Sequence, residues 1–222
     1  MASKYKLYGH PVSPFSYLAH AALIYKKVDF DFTYIDLAAG KQKEAEFLNM
    51  HPHGQVPLLV TDKGQNIYES WSIFEFLEEQ FPEQNMLPKS QPDRAKVRTL
   101  CQVICTGIFP TVRELFMETL GRHKLTDEER TNHQQNLIAK LEVFEKELAT
   151  LQDKNSFNAV DPLFYQAWQN LNIAYPKVKE LLPNLQANFE RIAKTPTVIS
   201  IESNPAVKKV RDFMASRFAI AQ

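Results

Sequence analysis

Three short groups of residues in the first third of this sequence have the types and spacing for chemistry. Ser13 is followed by Pro14 and then by Leu18, Ala21, Ala22 and Tyr25 at helical spacing, so its hydroxyl falls at a helix start. Unpaired backbone N–H groups and the helix macrodipole favour an anion there, and a thiolate suits the place. Gly54-Gln55-Val56-Pro57 sets a proline at the head of a short apolar run ending at Val60. In that position a cis peptide can turn the preceding residue's N–H and C=O outward, where they can pair with a peptide ligand. Glu69-Ser70 opens an amphipathic helix, offering a carboxylate to an ammonium and a hydroxyl with free N–H groups to a carboxylate. Taken singly, Ser13 and Glu69-Ser70 read equally as helix caps, and Ser16 is a rival hydroxyl deeper in the first turn. Together the three groups converge on a small zwitterionic peptide with a sulfur at its centre.

The elements that must hold these groups follow from periodicity. Residues 4 to 8 alternate and close at Gly9, which predicts a strand, and a helix follows from Ser13 to the lysines Lys26 and Lys27. Phe30, Phe32, Tyr34 and Leu37 mark a second strand, and 40–49 is polar and helix-compatible. His51-Pro52-His53-Gly54 breaks the chain before the strand at Val56–Val60. Asp62-Lys63-Gly64 turns into Asn66-Ile67-Tyr68, and the helix from Glu69-Ser70 carries Ile73, Phe74, Phe76, Leu77 and Phe81 on or near one face. The order β α β α β β α predicts a small mixed sheet carrying helices. Pro82, Pro88 and Pro92 lie among polar residues, which is linker chemistry. Beyond them the periodicity is helical over 93–120, 126–151, 161–173, 184–194 and 205–216. The expected organisation is therefore a domain over 1–82, a linker over 83–92 and an all-helical domain over 93–222.

Composition bounds the function. The chain has 222 residues, enough for one large domain or two small ones. Its 26 Lys+Arg balance 26 Asp+Glu, which removes the basic footprint of a nucleic-acid or anionic-membrane binder. The opening Met-Ala-Ser-Lys-Tyr-Lys lacks the apolar stretch of a signal peptide, and no window approaches the ~18 uninterrupted apolar residues of a membrane span. A cytoplasmic protein with no membrane or nucleic-acid partner is expected. Cys101 and Cys105 lie one turn apart on an apolar helix face and read as packing thiols. No Cys/His cluster has zinc-site spacing, so no metal is expected.

Ser13-Pro14-Phe15-Ser16 sits where a thioredoxin-like domain places Cys-Pro-X-Cys, with both sulfurs replaced by hydroxyls, which removes disulfide exchange. Residues 6–81 resemble the N-terminal domain of cytosolic glutathione transferases. The resemblance rests on Lys6-Leu7-Tyr8-Gly9 with Ser13, Ile35-Asp36-Leu37 with Gly40, Gln42 and Lys43, Phe47-Leu48 with Pro52 and Gly54-Gln55-Val56-Pro57, and Glu69-Ser70 with Ile73. This block is similar to both the phi and zeta classes. Arg94-Ala95, Val97-Arg98, Ile104, Gly107-Ile108 and Pro110 resemble the zeta class, and Asn158-Ala159-Val160-Asp161 matches the family's capping box.

The resemblance implies an α/β thioredoxin-like N-terminal domain plus an all-α C-terminal helical domain, glutathione as co-substrate, no metal and a two-fold homodimer. Carried over by position, Ser13 hydrogen-bonds the glutathione sulfur and Val56, ahead of Pro57, pairs with the cysteinyl segment. Glu69 and Ser70 hold the γ-glutamyl end, Gln42 and Lys43 meet the glycyl carboxylate, and Gln55 adds a contact. A small hydrophobic electrophile would meet His10, Val12, Phe15, Thr106, Phe109, Arg113 and Phe116. Plainer readings stand beside these: an exposed turn for His10, a surface lysine at Lys43, core packing for Phe109 and Phe116, and an Arg113–Glu114 pair. The implied activity is conjugation of glutathione, with detoxification the family's usual setting. The same thiolate would equally serve a peroxidase or a zeta-like isomerase, and a non-catalytic interaction protein is the alternative of a different class. The chain departs from the family in having Tyr17, Leu18 and His20 where arginines are usual, and Trp71 after Glu69-Ser70. It also lacks the zeta signature of adjacent serines followed by a cysteine, which speaks against maleylacetoacetate isomerisation.

Overall fold

A computed structural model describes residues 4–151 and 156–218. In its first unit, β1 (Tyr5–Gly9) leads into α1 (Pro14–Tyr25), β2 (Phe30–Tyr34), a 3₁₀ turn (Lys41–Lys43), α2 (Ala45–Met50), β3 (Leu58–Val60), β4 (Asn66–Tyr68) and α3 (Ser70–Gln80). This is the expected β α β α β β α order with one 3₁₀ turn added. The sheet runs β2-β1-β3-β4, with β2 parallel to β1 and the other pairs antiparallel. Tyr5, Leu7 and Gly9 point inward from β1, as the alternation requires. Leu18 and Leu23 of α1, Leu58 and Leu59 of β3, and Ile73, Phe74 and Leu77 of α3 are fully buried.

The unit does not end where the prolines suggest. Lys26 Nζ lies 2.7 Å from Glu78 Oε1 and donates to the carbonyls of Phe81 (3.0 Å) and Gln84 (2.8 Å). Glu78 Oε1 also accepts the Met86 N–H at 3.0 Å. Both charges are buried and fully hydrogen-bonded, the condition under which a buried ion pair is tolerated. The pair pins residues 81–86, and the boundary falls after Met86. The expected linker over 83–92 is thus half anchored segment, and its last two residues already belong to a helix.

The helical part also divides differently. Residues Pro196–Phe213 group with the first unit, and the second comprises Leu87–Thr195 and residues from Met214. Those 18 residues hold α10 (Pro196–Glu202) and most of α11 (Pro205–Phe218). Tyr17 of α1 donates from its hydroxyl to Glu202 Oε1 at 2.9 Å. Part of the stretch expected as the helical domain, 93–222, is thus tied to the first unit by a contact across 185 positions.

The second unit contains α4 (Gln91–Gln102), a π-helical turn (Val103–Ile108), α5 (Phe109–Thr119), α6 (Asp127–Leu148), α7 (Val160–Ala174), α8 (Val178–Leu181) and α9 (Pro183–Ala193). The expected helix over 93–120 is interrupted just before Pro110, which has no N–H for the helical ladder. Lys140 Nζ donates to the Gly107 carbonyl in this turn at 2.9 Å. The run Gln91–Thr119 is long and apolar enough to cross a membrane by length and composition, with a window of mean hydropathy 1.3. No such stretch stood out in the sequence. Its apolar side chains Val97, Leu100, Ile104, Ile108, Val112, Leu115 and Phe116 are buried in the second unit, which accounts for that composition.

Candidate active site

Strand register gathers the chemistry-bearing groups of the first unit at one end of its sheet. Tyr8 pairs with Leu58 and Leu58 with Tyr68, so Gly9, Pro57 and Glu69 each lie one residue beyond a paired position at the same end. Gly9 also pairs with Tyr34 in the parallel strand, which sends Asp36 and the 3₁₀ turn off that end too. The turn after β1, the Val56–Pro57 corner and the start of α3 are neighbours by sheet geometry.

Ser13 is the N-cap of α1, with extended backbone and Pro14 in the first turn. Its Oγ accepts the Ser16 N–H at 3.3 Å, and its own N–H donates to the His10 carbonyl at 3.0 Å. Capping uses the oxygen as an acceptor, so the same hydroxyl can donate its proton elsewhere. No acidic residue lies in this first turn to compete for an anion's place. Ser16 is buried, and its Oγ accepts the His10 N–H at 3.2 Å beneath the turn. A Cβ on Gly9 would come within 3.1 Å of Ser16 Cβ and of Phe32, so glycine lets that turn close. Ser13 is the more exposed hydroxyl of the two.

His10 is half-buried, which corrects the reading of an exposed turn residue. Its ring lies 5.3 Å from that of Tyr34, and Nδ1 accepts the Val12 N–H at 3.3 Å. Burial pushes its pKa down to about 4, helped by Arg211 and opposed by Asp36. The imidazole is neutral at pH 7, with its proton on Nε2. Val12 and Phe15 flank the same turn, each half-buried.

Gln42 and Lys43 occupy the 3₁₀ turn. Lys43 is exposed and donates to the His53 carbonyl at 3.0 Å, leaving two of its three donors. Gln42 Oε1 is buried with no partner among the described residues. Gly54 has φ +58, and a Cβ there would stand 2.6 Å from the Gln42 carbonyl oxygen and 3.0 Å from Lys43 Nζ. Only glycine fits where 40–43 and 51–54 press together. Gln55 is exposed, Val56 half-buried and Pro57 buried, and the Val56–Pro57 peptide is cis. The ladder begins at Leu58, so Val56 stands before it.

Glu69 is exposed at φ 68, ψ 118 and makes no side-chain cap to α3. Capping alone does not account for it. A non-glycine residue in that region costs of order 1–3 kcal/mol and tends to mark a functional position. Ser70, next to it, is buried.

His51 was missed in the sequence, where it read only as part of a chain break. It is 1% exposed, stacks at 4.6 Å on Tyr68, and its Nδ1 has no partner among the described residues. Burial lowers its pKa while Glu69 opposes and His53 and Lys43 assist. A histidine beside Pro52 was the available signal.

In the second unit, Phe109 and Phe116 are buried, in keeping with core packing. Thr106 Oγ1 donates to the Gln102 carbonyl at 2.9 Å, and Arg113 pairs with Glu114 at 3.0 Å on the exposed surface. Burial pushes the Cys101 thiol far up and that of Cys105 to about 11, so both stay protonated and unreactive. At the capping box, Asp161 Oδ2 accepts the Asn158 N–H at 2.8 Å and Asn158 Oδ1 accepts the Val160 N–H at 2.9 Å.

Residues 12–80 match the family described as glutathione S-transferase, N-terminal domain. The chain is 33% identical over 120 residues to a protein named probable maleylacetoacetate isomerase 2 from Drosophila melanogaster, covering 53% of this chain and 52% of that one. It is 31% identical over 137 residues to glutathione S-transferase Z1 of Arabidopsis thaliana, covering 62% and 61%. The match thus spans between half and two thirds of these relatives' length. The crystal structure of glutathione transferase URE2P8 from Phanerochaete chrysosporium, solved with oxidized glutathione, covers 100% of this chain and 99% of its own at TM-score 0.78 and 17% identity. The expected pairing of an α/β first domain with a helical second one is the fold of that enzyme.

Proposed function

From the premise that the chain belongs to the glutathione transferase family, we propose that it ionises glutathione at Ser13 and transfers the sulfur to small hydrophobic electrophiles. The observation that carries this reading is the strand register. It sets a helix-start hydroxyl with a proton to donate, the Val56–Pro57 corner and the strained Glu69 at one end of one sheet.

Each group has a part. The Ser13 hydroxyl donates to the sulfur, at the positive end of the α1 dipole. Bringing a thiol of pKa ~8.5 down by about two units takes roughly 2.7 kcal/mol, within reach of charge-assisted hydrogen bonds at a helix start. The proton leaves to solvent and no side-chain base is needed. Val56 lends its backbone to the cysteinyl segment, Glu69 meets the γ-glutamyl ammonium, and Ser70 with the N-terminus of α3 meets its carboxylate. Lys43 offers its two remaining donors to the glycyl carboxylate, with Gln42 and Gln55 alongside. Binding converts an encounter of two solutes into attack by a positioned nucleophile on the electrophilic carbon, expelling its leaving group. His10, Val12 and Phe15 border the turn that carries the sulfur.

The isomerase reading, disfavoured by the missing zeta signature, regains weight from the relatives' names. There the thiolate would add to a cis double bond, and after rotation the sulfur would be expelled again, so glutathione is regenerated.

The test is retention on immobilised glutathione followed by turnover with a chlorinated nitroaromatic and with a cis-enone acid. Ser13→Ala is expected to lower kcat/KM by about 100-fold, the usual cost of one preorganised donor. Retention without turnover on any electrophile, peroxide or isomerisable acid would sink the enzyme reading in favour of an interaction protein. Wild-type rates in Ser13→Ala would remove Ser13 from the mechanism.

A further inference from the structure

The imidazole of His10 is a hydrogen-bond donor on the turn that carries Ser13, and the reaction described above leaves it unused. That turn is braced from within. The His10 N–H donates to Ser16 Oγ at 3.2 Å, and the His10 carbonyl accepts the Ser13 N–H at 3.0 Å. One turn on, the Tyr17 N–H donates to the Ser13 carbonyl at 2.9 Å, and the Tyr17 hydroxyl to Glu202, which Arg211 grips through two nitrogens at 2.9 Å each. The His10 side chain is tied as well. Its Nδ1 accepts the Val12 N–H at 3.3 Å, so the neutral ring carries its proton on Nε2, beyond Nδ1 at the far edge of the ring. Nε2 has no acceptor among the described residues, and the ring is half-buried rather than sealed.

Sheet order fixes the flank on which this donor stands. The strands run β2-β1-β3-β4, and Gly9, just before His10, pairs with Tyr34 of β2. The rings of His10 and Tyr34 pack at 5.3 Å, so the pair borders the turn from the β2 side. Val56 and Glu69 stand beside the ends of β3 and β4, across β1, and the His53 carbonyl draws Lys43 to that side. A sulfur at Ser13 then has its peptide on one flank and the His10–Tyr34 pair on the other.

Resting on the functional reading above, we propose that the Nε2–H of His10 is a catalytic hydrogen-bond donor that selects electrophiles whose attacked carbon is conjugated to an oxygen, the α,β-unsaturated ketones and aldehydes. The thiolate adds to the β carbon and forms the C–S bond. The π pair of the C=C bond shifts to give an enolate, and Nε2–H donates to the enolate oxygen. A proton from solvent then reaches the α carbon and the C=O bond is restored, while the imidazole keeps its own proton throughout. That oxygen stands only a few bonds from the carbon that the sulfur attacks, a span that a residue on the Ser13 turn bridges. Its charge develops in the transition state, so the bond to Nε2–H is strongest there. Burial holds the imidazole pKa at about 4, with Asp36 opposing and Arg211 assisting, so the donor stays neutral at the pH where a thiol ionises. Displacement on an alkyl halide puts the charge on the departing halide and gives Nε2–H no oxygen to meet.

The experiment compares an aryl vinyl ketone with a benzyl halide at saturating glutathione, on the whole chain. His10→Asn keeps an acceptor for the Val12 N–H and has no donor at the Nε2 position, whereas His10→Gln carries an amide N–H out to that position. His10→Asn should lower kcat/KM for the ketone by about 100-fold, mainly in kcat, and for the halide far less. His10→Gln should recover most of the ketone rate. In the parent without ligand, nitrogen NMR of the labelled ring should find the proton on Nε2.

Equal losses on both electrophiles in His10→Asn would make His10 structural and overturn the proposal, as would an unaltered ketone rate or a proton on Nδ1. A parent that turns over neither electrophile fails the functional reading and the proposal together. Halide turnover that persists while His10→Asn leaves the ketone-to-halide ratio unmoved fails the proposal alone.

Discussion

Helix starts in the two units are built to opposite ends. In the second unit, α6 begins with a closed capping box, Thr126 Oγ1 accepting the Glu129 N–H and Glu129 returning a bond to the Thr126 N–H. Before α7, Asp161 and Asn158 satisfy one another, and Arg191 closes on Asp161 at 2.7 Å. Each start has its own acid in place, leaving no room or charge for a guest. In the first unit α1 has a cap with a proton to spare and no acid, and α3 has an exposed Glu69 that caps nothing. Among these four starts the same local motif is either closed or left open, and the two open ones lie together at one end of a sheet. The two closed starts belong to the second unit, and the two open ones to the proposed glutathione site.

Four outcomes would break or sharpen that contrast. The largest is expected at the closed end: Asp161→Ala removes a buried carboxylate, takes an ion-pair partner from Arg191 and leaves the Asn158 N–H unmet, and should cost about 3 kcal/mol in urea denaturation. A loss under 1 kcal/mol would mean that the box is ornamental.

Next is pH, to which the buried histidines of the first unit and Asp161 of the second should respond with opposite sign. His10 and His20 are held down at about 4 by burial, against 6.5 when unfolded. Between those values the unfolded chain binds protons that the folded one refuses, so their stabilisation is present above pH 6.5 and is lost as pH falls toward 4. Burial, outweighing Arg191 and the Asn158 N–H, raises Asp161 from 3.8 to about 6. There the folded state keeps the proton, so the part of the second unit's stability that Asp161 contributes is lost as pH rises through that window, while the lowered Glu118 and Glu129 act in the opposite sense. Hydrogen exchange around α1 and at the start of α7 should show both trends. His20→Phe should flatten the first unit's acid loss by on the order of 3 kcal/mol, and parallel trends at α1 and at the start of α7 would refute the assignment.

A smaller effect has the unusual sign. Glu69→Gly relieves the φ of 68 and should raise stability by about 1 kcal/mol while weakening retention on glutathione. Stability and retention falling together would make Glu69 structural. Smallest is the comparison of caps. Thr126→Ala should cost about 1 kcal/mol and Ser13→Ala about half of that, although only the latter should lower the thiolate fraction of bound glutathione. Equal losses of stability would place Ser13 with the closed caps.

Much of the candidate site was legible because helix starts and strand order are local. Ser13-Pro14 announced a capped helix, and the alternation of Tyr5 and Leu7 announced β1; both follow from contacts within a few residues. What escaped were features set by partners far along the chain. His51 looked like a break and is a stacked, nearly inaccessible ring, because Tyr68 covers it. The π turn before Pro110 escaped because apolar periodicity hardly changes when a helix widens by one residue.

Lys26 and Lys27 divide what the sequence determines from what the tertiary structure decides. By themselves the residues settle that α1 closes near these two lysines, that four strands and three helices alternate in a given order through the first unit, and that serine, proline and glutamate stand at their ends. Each of those depends on neighbours within about one turn or one hairpin. Whether a lysine is a solvated tip or a buried knot is decided elsewhere: Lys27 is exposed, while Lys26 is sealed by Glu78 and the carbonyls of Phe81 and Gln84. Likewise nothing near Ser13 foretells Glu202 and Arg211, because burial and charge pairing belong to segments that meet only once the chain has folded.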